Sequence, residues 1–118
     1  MTLDIETIDH PGGVTIVRAT GEVDLASARA LKETLLNLLV VGGHARLVVD
    51  LSPVTFIDST GLGVLFTAYR RVEAIGGFMR VAANREMIRL MRLAHIDDIL
   101  GVHASVEEAA RRALRTSS

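Results

Sequence analysis

Apolar and polar positions alternate from the start of the chain. Leu3-Asp4-Ile5-Glu6-Thr7-Ile8 keeps the two-residue period of a half-buried strand. His10-Pro11-Gly12-Gly13 is turn chemistry, and Val14-Thr15-Ile16-Val17-Arg18-Ala19 alternates again with many β-branched residues. The two runs predict a hairpin. The period then changes. Ala28, Leu31, Leu35, Leu38 and Leu39 recur at steps of three and four, which predicts a helix capped by Asp24 or Ser27 and ended by Gly42-Gly43. Leu47-Val48-Val49-Asp50-Leu51 is a nearly continuous apolar run, suited to a central strand covered on both faces. From Gly61 to Ile75 a second helix places Leu62, Leu65, Phe66, Tyr69 and Val72 on one core stripe, and Gly76-Gly77 stops it. Phe78–Ala82 reads as a strand. Asn84 can cap a helix whose inward face is Met87, Leu90, Met91 and Ala94. Ile99–Val102 reads as a short extended piece. Ser105-Val106-Glu107-Glu108 has capping-box form and opens a last helix with Val106, Ala109, Ala113 and Leu114 inward.

Strands alternating with helices imply crossover units. The expected fold is α/β: one domain over residues 1–115 with a flexible tail at 116–118. Its small, mixed, mainly parallel sheet has about four to five strands. About four helices pack on one side of it.

Length and composition narrow the function. A chain of 118 residues fits one domain with a core that needs no staples. Aromatic residues make up 3%, so the core must be aliphatic and stacking platforms for single-stranded nucleic acid are lacking. A net charge of -1 gives no chain-wide pull toward nucleic acid or anionic membrane. The absence of Cys excludes disulfides, thiolate nucleophiles and zinc–sulfur sites. The acidic N-terminus is not a signal peptide, and no apolar run reaches membrane-spanning length. A cytoplasmic protein is expected.

The candidate chemistry lies in Phe56-Ile57-Asp58-Ser59-Thr60-Gly61-Leu62-Gly63, where extended chain hands over to a helix. A hydroxyl there sits among the free amide N–H groups of a helix start, a place that tolerates phosphate. A purely structural role competes with this: Asp58, Ser59 and Thr60 as caps, with Gly61 and Gly63 allowing close packing on the sheet. Each glycine costs about 1 kcal/mol relative to Ala inside a helix. Capping alone does not require them, whereas a flat surface open to another protein's backbone does.

Asp58-Ser59-Thr60-Gly61-Leu62-Gly63-Val64-Leu65 closely resembles the signature of anti-sigma factor antagonists, the bacterial STAS domains. Gly21-Glu22-Val23-Asp24, Val48-Val49-Asp50-Leu51-Ser52, Phe56 and Gly76-Gly77 resemble further family elements in the same order. The resemblance implies that Ser59 is phosphorylated by an anti-sigma factor that is also a serine kinase. The unphosphorylated protein would bind that kinase and free a sigma factor, and a separate serine phosphatase would reset it. Thr60 is the second-choice acceptor. Glu22, Asp24, Asp58, Ser59, Thr60, Gly61 and Gly63 are the expected partner-binding residues, a helix cap being the competing role for Asp24. The family is commonly monomeric when free. The sequence departs from the family at Ala94-His95-Ile96, where relatives tend to have Ser-Gly-Leu, and at Asn84-Arg85, where they often have Ser-Pro.

Enzyme readings fare worse. His10, His44, His95 and His103 fall in loops or element ends. Ile57-Asp58-Ser59-Thr60-Gly61 lacks the first glycine of a hydrolase elbow. Phe66 stands where a dinucleotide fingerprint needs its third glycine, and there is no Gly-Lys-Ser/Thr phosphate loop. No catalytic activity, cofactor or metal is expected, although some STAS domains are linked to nucleotides. The alternative role is that of a non-catalytic STAS subunit in a larger signalling or lipid-transport complex.

Overall fold

A computed structural model describes residues 3–40, 43 and 46–115. Strands β1 (Leu3–His10) and β2 (Val14–Val23) form the expected antiparallel hairpin, paired from His10↔Val14 to Leu3↔Gly21. Gly12 and Gly13 turn the chain at φ 84 and 76, values that L side chains rarely adopt. Helix α1 (Leu25–Val40) follows, then β3 (Arg46–Asp50), β4 (Val54–Ile57), α2 (Ser59–Ala74), β5 (Phe78–Ala82), α3 (Arg85–Leu93), β6 (Gly101–His103) and α4 (Val106–Arg115). The stop expected after α1 is described only at Gly43, which has φ 65. Gly42, His44 and the 116–118 tail lie outside the described residues, as does the side chain of Leu114.

Among the described residues the sheet has six strands, one more than the upper expectation. Its order is β1-β2-β3-β5-β6, with β4 paired to β2, and every pairing except the hairpin is parallel. The strand missed in the sequence is β4. Strand β2 is ten residues long and serves two neighbours along one edge. Thr15–Arg18 pairs with β3, while Gly21, Glu22 and Val23 pair with Val54, Phe56 and Ile57 of β4. The β-branched Val54-Thr55-Phe56-Ile57 after the Ser52-Pro53 turn was the available signal.

Helices cover both faces of the sheet, which corrects the expectation of one-sided cover. Val17, Ala19, Val23, Leu47, Val49 and Val81 join the core beneath α1, α2 and α3. Val14, Ile16, Val48 and Ala82 point the other way, onto Ala109, Ala110 and Ala113 of α4. Adjacent strand residues face opposite ways, so the continuous apolar run of β3 needs a second layer.

Two helix faces also differ from expectation. Helix α3 buries Met87, Ile88 and Met91, while Leu90 is half exposed and Ala94 is exposed. Helix α2 buries Gly61, Val64, Leu65, Ala68 and Val72. Leu62, Phe66 and Tyr69 pack only at the margin of the core. The buried stripe of α2 is therefore rotated toward small residues that let the helix approach the sheet.

Candidate functional site

The site begins with a lock at the end of β3. Asp50 is buried, and its carboxylate accepts hydrogen bonds from Arg18 Nε at 2.9 Å, from the Ser52 backbone N–H and from the Ser52 hydroxyl. A buried charge is tolerable because each of these donors satisfies it. The same bond, above all, raises the Arg18 pKa. The lock fixes the turn into β4. Asn84 completes it from the other edge, donating to Ser52 O at 3.2 Å and Val54 O at 3.1 Å while its side-chain oxygen caps α3.

Parallel pairing of β2 and β4 sets two helix starts side by side. Val23 pairs with Ile57, so Asp24 and Asp58 stand at adjacent strand ends, and Asp58 N–H donates to Val23 O at 3.1 Å. Each aspartate caps the helix after it. Asp58 Oδ1 accepts from Gly61 N–H at 3.1 Å at the start of α2. Asp24 Oδ1 accepts from Ser27 N–H at 3.0 Å at the start of α1. The sequence left Asp24 and Ser27 as alternative caps. The structure uses both, because Ser27 Oγ accepts in return from Asp24 N–H and donates to Glu22 O at 2.7 Å. Ser27 thereby ties Glu22 to the site. These bonds, chiefly that from the Ser27 backbone N–H, hold the Asp24 carboxyl below the usual carboxylate range.

Ser59 is the first residue of α2 and Thr60 the second, and both are exposed. Neither hydroxyl makes a hydrogen bond to a described residue. The Ser59 oxygen thus faces solvent beside two positive helix termini and two capping carboxylates. Glu22, Asp24, Asp58, Ser59 and Thr60 are brought together as the sequence suggested. The two glycines part company. Gly63 is exposed, with nothing within 4 Å of where a Cβ would lie. Gly61 is buried, and a Cβ there would stand 2.6 Å from Val23 Cγ1 and 2.7 Å from Ile57 Cγ1. Gly63 thus leaves open surface, whereas at Gly61 the reason for a glycine is contact of α2 with β2 and β4.

Sequence reasoning overlooked the valley between α1 and α2 beside this hydroxyl. It is a groove of about 740 Å³ lined by Leu25, Arg29, Lys32, Thr60, Gly63 and Thr67 among others. The three- and four-residue spacing of Leu25, Arg29 and Lys32 was the available signal. Among the described residues no cluster of three His, Asp or Glu could hold a metal ion, and no helix is long and apolar enough to cross a membrane. His103, at the end of β6, is buried and bonded through Nδ1 to Glu108 of α4 at 3.1 Å.

The STAS domain family model matches residues 6–109. The anti-sigma-B factor antagonist of Bacillus subtilis strain 168 is 34% identical over 92 residues, 77% of this chain and 83% of that protein. The crystal structure of an anti-sigma factor antagonist from Mycobacterium paratuberculosis superposes with a TM-score of 0.82 at 28% identity, covering 94% of this chain and 93% of that one. The fold is also that of the Bacillus cell fate determinant SpoIIAA in its phosphorylated form, with a TM-score of 0.71 at 18% identity, covering 92% of this chain and 98% of that one.

Proposed function

The chain belongs to the STAS domain family, and from that premise we propose that it is an anti-sigma factor antagonist switched by phosphorylation of Ser59. The observation that carries this reading is the exposed, unbonded Ser59 hydroxyl at the first position of α2. The relatives named as antagonists support the pathway, and the kinship of fold with a protein that has a phosphorylated form supports the chemistry.

In the unmodified state the face around Ser59 docks on an anti-sigma factor and releases the sigma factor that it holds. Glu22, Asp24, Asp58, Thr60 and Gly63 border that face, and Gly61 seats the helix beneath it. The anti-sigma factor is also the kinase. It transfers the γ-phosphoryl group of ATP to Ser59 Oγ, with ADP leaving and the hydroxyl proton passing to the kinase. The product gains about -1.5 to -2 charges at neutral pH. The helix terminus compensates about 0.3–1 kcal/mol of that locally, so the domain stays folded. At the interface a bulky dianion replaces a small hydroxyl beside Asp24 and Asp58, and binding falls tenfold for every 1.4 kcal/mol lost. A serine phosphatase removes the group and restores binding.

The test is incubation with the host's histidine-kinase-like anti-sigma factors and ATP, followed by mass spectrometry. One phosphate on Ser59 is expected. Phosphate on another residue, or on none, overturns the reading.

A further inference from the structure

We propose that the valley between α1 and α2 is the seat of an acidic amphipathic segment of the partner kinase, so that this basic groove, and not the serine loop alone, recognises the partner. The inference rests on the functional reading above and goes beyond it by naming the groove and the chemistry of its occupant.

The valley floor is low. Thr60, Gly63 and Thr67 follow each other along α2, and Gly63 leaves open space where a side chain would stand. A helix or extended backbone can approach closely there. One wall offers an apolar anchor, because Leu25 is 76% exposed at the first position of α1. The same wall carries Arg29 and Lys32, and neither has an acidic partner among the described residues. Glu33, four residues on from Arg29, forms no salt bridge with it and does not line the groove. Among the residues that line the groove the charged ones are Arg29 and Lys32, and they select an acidic occupant beyond the carboxylates of Asp24 and Asp58 at the serine end. The concave floor favours a protein segment over a membrane surface, which would need protruding apolar side chains.

The groove also gives phosphorylation a target. Thr60 lines it and Ser59 is the residue before it, so a phosphate on Ser59 adds its charge next to the groove's serine end. There the dianion repels the acidic occupant and competes for the same cations.

The experiment uses the host anti-sigma factor kinase identified by the Ser59 mass shift. Its affinity is measured for the wild type, for the double variant Arg29→Glu/Lys32→Glu and for Gly63→Gln, with thermal melts confirming that both variants are folded. Expected are a loss of at least tenfold in each variant and a wild-type affinity that weakens steeply with added salt. The Gly63→Gln variant introduces no charge, so it tests the valley floor separately from the cations. A kinase that modifies Ser59 and binds all three proteins equally overturns the groove and leaves the phosphorylation reading standing. Failure of every host kinase to modify Ser59 overturns both. Vesicles of equal parts phosphatidylcholine and phosphatidylserine are tested in parallel; binding that depends on Arg29 and Lys32 assigns the face to membrane and also overturns the proposal.

Discussion

Gly61 and Gly63 lie on one helix and respond oppositely to the same substitution. At Gly61 a methyl would meet Val23 and Ile57 inside ordinary contact distance. Overpacking of this kind costs about 1–3 kcal/mol, more than the helix-propensity gain of about 1 kcal/mol. Gly61→Ala therefore destabilises the domain by about 1 kcal/mol in urea titration. At Gly63 the methyl enters open space, so Gly63→Ala stabilises by about 0.5–1 kcal/mol. The exposed hydroxyl of Ser59 was legible because the helical pattern that follows it puts it at a helix start. The buried contact of Gly61 was not legible, because it depends on Val23 from a distant strand. Arg29 and Lys32 escaped notice for a related reason: single charges on a helix gain meaning only when a second helix makes a valley beside them.

At the scale of elements, the caps decide where each helix starts and ends. Asp58 accepts the third amide of α2, and Asp58→Ala removes that bond at a cost of about 1 kcal/mol, readable as a lower urea midpoint. The other informative end is that of α3. His95 takes φ 58 after the Ala94 cap, while Ile96 N–H closes the turn on Met91 O at 2.8 Å. A left-handed conformation costs an L residue about 1–2 kcal/mol. The exposed pairing of His95 with Asp98 at 3.5 Å returns little. His95→Gly is therefore expected to raise stability by about 1 kcal/mol, and an unchanged melting temperature would contradict this account of the turn. The elements with long, regular periods were legible: the hairpin, the four helices and the strands β3 and β5. Four-residue β4 was not, because its identity comes from pairing with the far end of β2 rather than from its own period.

For the whole molecule, the two-faced sheet was half legible. The apolar run of β3 called for cover on both sides, and α4 supplies the second cover with a face of alanines too small to announce itself. Charge state follows from the same packing. Asp24 is held below the usual carboxylate range by Ser27, and Glu108 by its bond to His103. Both bind a proton less readily folded than unfolded. The stability they contribute is complete above the unfolded carboxylate pKa and is lost as pH falls through the folded values. Both groups are solvated, so the effect is modest and weakens with salt. The double variant Asp24→Asn/Glu108→Gln is expected to lose less melting temperature than the wild type on acidification below about pH 4. A steeper loss would reverse the sign assigned here.

The most direct measurement compares the affinity of the host kinase for wild type, Ser59→Ala and Ser59→Asp, alongside their melting temperatures. Ser59→Ala is expected to bind as the wild type does and to stay bound when ATP is added. Ser59→Asp is expected to bind at least tenfold more weakly while melting within a few degrees of the wild type. Equal binding by all three proteins, or a Ser59→Asp variant that binds weakly only because it unfolds, would contradict a switch worked by one exposed oxygen.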